Sequence, residues 1–122
     1  MPQNYKDLIA WQKAMLMVTH IYEITKLFPD DERFGLTSQM RRCAVSVPSN
    51  IAEGHARNTK GEFKQFLGIA RGSNAELTTQ LLIADNLGYL ADASNSLGMV
   101  DEVGRILSGL IKSLHVGKET KT

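Results

Sequence analysis

Apolar residues in this chain return every three or four positions, and they do so in four separate runs. That spacing places them on one side of an α-helix, and a side so loaded has to be buried against other helices. The first run covers about residues 5–28, with Asn4 as a cap and Asp7 near the positive end of the helix dipole. Leu8, Trp11, Met15, Val18, Tyr22 and Thr25 form one line, and Ala10, Ala14, Met17, Ile21, Ile24 and Phe28 form a second beside it. Together they make a face broader than one neighbour needs. The second run, about 36–56, carries Leu36, Met40, Cys43, Val47 and Ile51. The third opens on a capping box, Thr59 with Glu62, and continues to about Leu90 through Phe63, Phe66, Leu67, Ala70, Leu77, Leu81 and Ala84. The fourth, about 95–115, carries Val100, Val103, Leu107, Leu110 and Leu114.

Polar joints such as "FPDDERFG" and "ADASNS" separate the runs. Strand-like alternation is nowhere sustained, and no Asn-Gly or Asp-Gly hairpin turn occurs. Joints this short favour antiparallel neighbours. The expectation is an all-α, antiparallel up-down-up-down four-helix bundle over residues 1–116, with a disordered C-terminal tail over 117–122. Helices of these lengths run on the order of 30–40 Å.

The length of 122 residues suits one domain. A net charge of +1 excludes a globally basic nucleic-acid binder, so any such surface must come from local clustering. Cys43 is the sole cysteine, which excludes an intramolecular disulfide and reads as a small buried residue. The first residues carry charges where a signal peptide would be apolar, and no run of about 18 apolar residues occurs. The expected setting is the cytoplasm, with no membrane contact.

The stretch "RRCAVSVPSNIAEGHAR", residues 41–57, concentrates the unusual residues. Pro48 lacks an N–H, and its ring clashes with the carbonyl of Ala44, at a cost of about 3 kcal/mol unless compensated. A kinked continuous helix and a break are both open. The apolar spacing carries through from Val47 to Ile51 and favours the kink, with Ser46 and Ser49 placed to bond freed carbonyls. Arg42, Ser46, Asn50, Glu53 and Arg57 share one helical face. That face reads either as a solvated surface with a Glu53–Arg57 pair, or as a polar network of Ser46, Asn50 and Glu53 between helices or subunits.

This stretch resembles the signature of the four helix bundle proteins linked to intervening sequences in bacterial 23S rRNA genes. "LIAWQKAM", "LFPDDERFGLTSQMRR", "EFKQFLGIARGSNAEL" and "LLIADNLGYL" resemble further pieces of that family, in the same order, over about residues 5–90. The resemblance implies a left-handed antiparallel four-helix bundle assembled as a homopentamer. It implies no catalytic activity, substrate or cofactor. The similar accessory proteins of diversity-generating retroelements are thought to bind nucleic acid and a reverse transcriptase.

Basic residues are the best functional lead. Between Thr37 and Gly72, six basic residues (Arg41, Arg42, Arg57, Lys60, Lys64 and Arg71) face only Glu53 and Glu62, a local excess of +4. Lys60, Lys64 and Arg71 share a face of the third helix, and such a face either neutralises phosphates or is simply solvated. No aromatic alternates with these basics, so RNA or DNA would be bound without strong sequence preference.

Gly68 and Gly72 read as points of close approach to a neighbouring helix or subunit. His20, His55 and His115 lie on different segments without metal-ligand spacing. Glu53, Glu76 and Asp85 could approach one another, yet no Glu-x-x-His supports a di-iron site. No nucleophile elbow is present either. A non-enzymatic oligomer is therefore expected, without metal or cofactor. It would either bind nucleic acid or scaffold a protein partner. Trp11, Met15, Met17, Tyr22 and Phe28 are expected mostly in the core, with the surplus at a subunit interface.

Overall fold

The computed structural model describes residues 3–119. It contains four α-helices, α1 (Ile9–Thr25), α2 (Leu36–His55), α3 (Lys60–Asn86) and α4 (Ser94–Glu119). Among the described residues there is no strand. Each helix packs on its neighbours in sequence, and α4 closes back on α1. The joints are short, so successive helices run antiparallel. This is the up-down-up-down bundle that the spacing predicts. The core holds Met17, Ile21, Met40, Val47, Ile51, Leu67, Leu77, Leu81, Val100, Val103 and Leu107, all fully buried. His20 and Ser96 share a 2.7 Å hydrogen bond across α1 and α4, and Lys13 pairs with Glu102 at 3.7 Å on the same seam.

Helix ends depart from the sequence reading for local reasons. The first helix begins at Ile9 rather than Tyr5. Asn4 does cap, but it caps a separate single turn, Tyr5–Asp7, by accepting the Lys6 N–H at 2.9 Å. Leu8 is then extended and buried. At the other end α1 stops at Thr25. The N–H groups of Leu27 and Phe28 reach back to Ile24 and Thr25, tightening the chain ahead of Pro29.

The third helix stops at Asn86, short of Leu90, because Gly88 takes a φ of +77°. Its N–H meets the Asp85 carbonyl at 3.0 Å and the Tyr89 N–H meets that of Ala84 at 2.9 Å, a Schellman closure. The fourth helix passes the expected stop near His115 and reaches Glu119. Helix thus occupies 117–119, where a tail was expected, and residues 120–122 lie outside the described residues.

Two packing expectations are corrected. Of the five large side chains assigned mostly to the core, only Met17 and Phe28 are buried; Trp11 is half-buried, and Met15 and Tyr22 are 42% and 38% exposed. The bundle fully shelters the Ala10–Ala14–Met17–Ile21–Thr25 line of α1, while Trp11, Val18 and Ile24 pack only partly against the core. At Gly68 and Gly72 an added Cβ would meet no neighbouring helix within 4 Å among the described residues, which removes close approach within the bundle and leaves a neighbouring subunit. Close approach occurs instead at Gly54, against Phe63 and Phe66, and at Gly104, against Asn74.

The start of α2 has its own device. Gly35 supplies no capping side chain, so Glu32 does it, accepting the Leu36 N–H at 3.1 Å and the Tyr89 hydroxyl at 2.8 Å. The Leu36 bond, then the Tyr89 bond, hold the Glu32 carboxyl below its ordinary value of 4.5. The same carboxylate holds the Tyr89 phenol above its ordinary value of 10.0. The Glu32 contribution is therefore complete above pH 4.5 and lost as pH falls through the lower folded value. The melting temperature of Glu32→Gln is expected below that of the parent at neutral pH. The gap should close in acid, as melting curves across pH would read. A gap that persists in acid would remove Glu32 as the cause.

Candidate nucleic-acid interface

Helix α2 runs unbroken through Pro48, which is buried, so the break is excluded. Ser46 does not serve the Ala44 carbonyl. Its hydroxyl meets that of Ser73 on α3 at 2.9 Å and accepts from Asn50 Nδ2 at 3.0 Å, and the same amide donates to the Ser46 carbonyl at 2.8 Å. The Cys43 thiol donates to the Ser73 carbonyl at 2.9 Å. Burial first, and the Glu76 charge second, push that thiol up to about 11. It stays protonated at neutral pH and is a poor nucleophile.

The expected polar network thus divides. Ser46 and Asn50 join Cys43 and Ser73 in an α2–α3 seam. Glu53 leaves it and pairs with Arg57 at 3.1 Å on the surface. Both side chains there are about half exposed, so the pair contributes only a few tenths of a kcal/mol.

The six basic residues do not form one patch. About 24 Å of helix separates Arg41 from Arg57. Arg41 is committed to the fold: Nε donates to Thr25 Oγ1 at 2.9 Å and a terminal nitrogen to the Tyr22 carbonyl at 3.3 Å. It ties down the C-terminal turn of α1, with its guanidinium 4.6 Å from the Tyr22 ring centre. Arg42, one residue on, is exposed.

At the far end, Arg57 lies over Phe66 at 4.8 Å as well as beside Glu53. Lys60 is exposed at the start of α3, and Lys64 is half-buried. Arg71 is exposed farther along α3, on a cleft shared with Asn74, Asp101 and Arg105 of the α3–α4 side. Arg42, Lys60 and Arg71 make no ion pair among the described residues.

One cluster was missed in the sequence. A groove of about 410 Å³ is lined by Tyr22, Arg33, Phe34, Thr37, Ser38, Arg41, Arg42 and Val45. Aromatics do stand among the basic residues here, contrary to expectation. They arrive from α1 and from the joint before α2, so no linear alternation announces them. Arg33 was hidden because Asp30, Asp31 and Glu32 cancel it in a running charge count.

Glu32 and Asp92 are the carboxylates held low, and both act as local caps; Asp92 accepts the Ser94 N–H and hydroxyl. Glu53, Glu76 and Asp85 do not gather, and no three His, Cys, Asp or Glu side chains among the described residues could hold a metal ion. No described helix is long and apolar enough to cross a membrane.

Comparison with known proteins adds two findings. The model of the family described as 23S rRNA-intervening sequence protein matches residues 6–109. A 1.70 Å crystal structure of a protein of unknown function from the S23 ribosomal protein family of Bacteroides thetaiotaomicron VPI-5482 superposes with a TM-score of 0.80. At 21% identity, the alignment covers 88% of this chain and 98% of that one, and what it shows is the fold. No curated protein matches.

Proposed function

The chain belongs to the 23S rRNA-intervening sequence protein family, and we propose for it a binding role rather than a catalytic one. The protein is a non-enzymatic, cytoplasmic, homo-oligomeric accessory that holds RNA or DNA through basic helix faces. The observation that carries this reading is that Arg42, Lys60 and Arg71 are exposed without an ion-pair partner among the described residues. Cations not neutralised by the fold are the ones that can displace counterions from phosphates. In a closed oligomer such as the pentamer the family resemblance implies, each would repeat around an axis and their fields would add.

Anisotropy of labelled RNA and DNA oligonucleotides at low and physiological salt tests this. Binding should weaken steeply with salt. Lys60→Ala with Arg71→Ala should lower the slope of log affinity against log salt by about 2, roughly one per phosphate contact. No binding at low salt would sink the reading.

Two observations favour the second reading, a scaffold for a protein partner. Arg41 and Arg57 are already engaged within the chain. A second groove of about 310 Å³, lined by Tyr5, Trp11, Met15, Val18, Val45, Pro48, Ser49 and Ala52, carries no charge. That apolar face is where we place the contact with another copy, and light scattering of the same samples reads the assembly.

A further inference from the structure

We propose that the groove of Tyr22, Arg33, Phe34, Arg41 and Arg42 seats single-stranded nucleic acid, with an unpaired base on the open face of Phe34 and its flanking phosphates on the arginines. This rests on the nucleic-acid reading above and narrows it to one strand form and one place.

Charge is the first support. Three guanidinium groups line the groove and no carboxylate does. Of the acids in the joint, Asp30 lines an adjoining smaller cleft that shares Arg33, Thr37 and Arg41, and Glu32 is held by Leu36 and Tyr89. The groove therefore offers an anion three cations without a competing negative charge on its walls.

The second support is Phe34. The residue is 87% exposed, the largest exposure of any bulky apolar residue among those described. Arg33 lies 5.0 Å from its centre and covers part of it, which steadies the ring while leaving a face in water. Tyr22 is different, because Arg41 stacks on it and is pinned to Thr25. Tyr22 thus positions a guanidinium, and Phe34 offers a stacking surface.

These parts select the strand form. In a duplex the faces of the bases are occupied by neighbouring pairs, so an exposed phenyl ring gains nothing. An unpaired base brings a free π face, and stacking on an aromatic side chain is worth roughly 5- to 140-fold in affinity per base. A volume of about 410 Å³ is of small-ligand size and too small to admit a double helix.

The test uses the full chain and two labelled probes of equal length, a uridine homopolymer and an RNA duplex. Phe34 is a surface residue, so Phe34→Ala leaves the core untouched, and Arg42→Ala likewise. The parent should prefer the single strand. Phe34→Ala should weaken single-strand binding about fivefold or more while leaving duplex binding unchanged, and Phe34→Tyr should restore it. Arg42→Ala should weaken both probes and lower the salt slope. Single-strand binding that survives Phe34→Ala and Arg42→Ala but falls with Lys60→Ala and Arg71→Ala overturns the groove and keeps the broader reading. Loss of the oligomer in Phe34→Ala also overturns it, by assigning the ring to a contact between copies. No binding of either probe at low salt overturns both.

Discussion

Asn74→Asp is expected to cost about 3–5 kcal/mol at neutral pH, the cost of an unpaired buried charge. Asn74 is 4% exposed and stands between α3 and α4. Its amide nitrogen donates to the Val100 carbonyl at 2.8 Å, and its Oδ1 is sealed from solvent without a partner among the described residues. The replacement exchanges a donor for a charged acceptor facing that carbonyl. Arg71 and Arg105 line the cleft outside but the buried oxygen is closed off from it.

Burial without a donor raises the folded pKa of the new carboxyl above its unfolded value. The protonated acid can donate to Val100 again, so the variant recovers stability as pH falls through that raised value. This slope is opposite to the one Glu32 imposes on the parent. Urea unfolding of parent and variant across pH reads it directly. A loss under 1 kcal/mol, or one independent of pH, would mean that the oxygen finds a partner or water that the chain does not show.

Gly54→Ala and Gly72→Ala should move stability in opposite directions, although both place alanine inside a helix. An added Cβ at Gly54 would lie 2.6 Å from Phe66 Cβ, 3.1 Å from a Phe63 ring carbon and 3.3 Å from the Phe63 carbonyl. Phe66 Cβ and the Phe63 carbonyl are fixed to the α3 backbone, so α2 and α3 must separate where they are closest. Overpacking of this kind costs about 1–3 kcal/mol, and the helix preference of alanine returns up to about 1.

At Gly72 nothing lies within 4 Å, so only the gain of up to about 1 kcal/mol remains. Thermal melts of both variants read the signs. If Gly72→Ala breaks the oligomer while leaving the fold intact, close approach at that glycine belongs to the boundary between copies. Stabilisation with the oligomer intact would exclude it from that boundary.

The helices, their order and most of their buried positions were legible in the sequence. The period of 3.6 residues and the Thr59–Glu62 capping box are local properties: each depends on residues within one or two turns. The Glu53–Arg57 pair, an i,i+4 contact, was legible for the same reason. Gly88 and Leu8, which set two helix ends, act through single backbone angles and leave no periodic trace.

Spacing names a face but does not say what that face meets. Ser46 and Asn50 could be placed on one side of α2, yet their partner Ser73 comes from α3, and only the rotation of the two helices about their seam brings them together. Arg41 and Arg42 are adjacent in the chain, but the successive residues of a helix point about 100° apart. One therefore turns to Thr25 and is spent on the fold, while the other faces water. Phe34 joins them because the joint before α2 sets it along one groove with Tyr22 of α1, a juxtaposition set by tertiary packing and invisible to any local pattern.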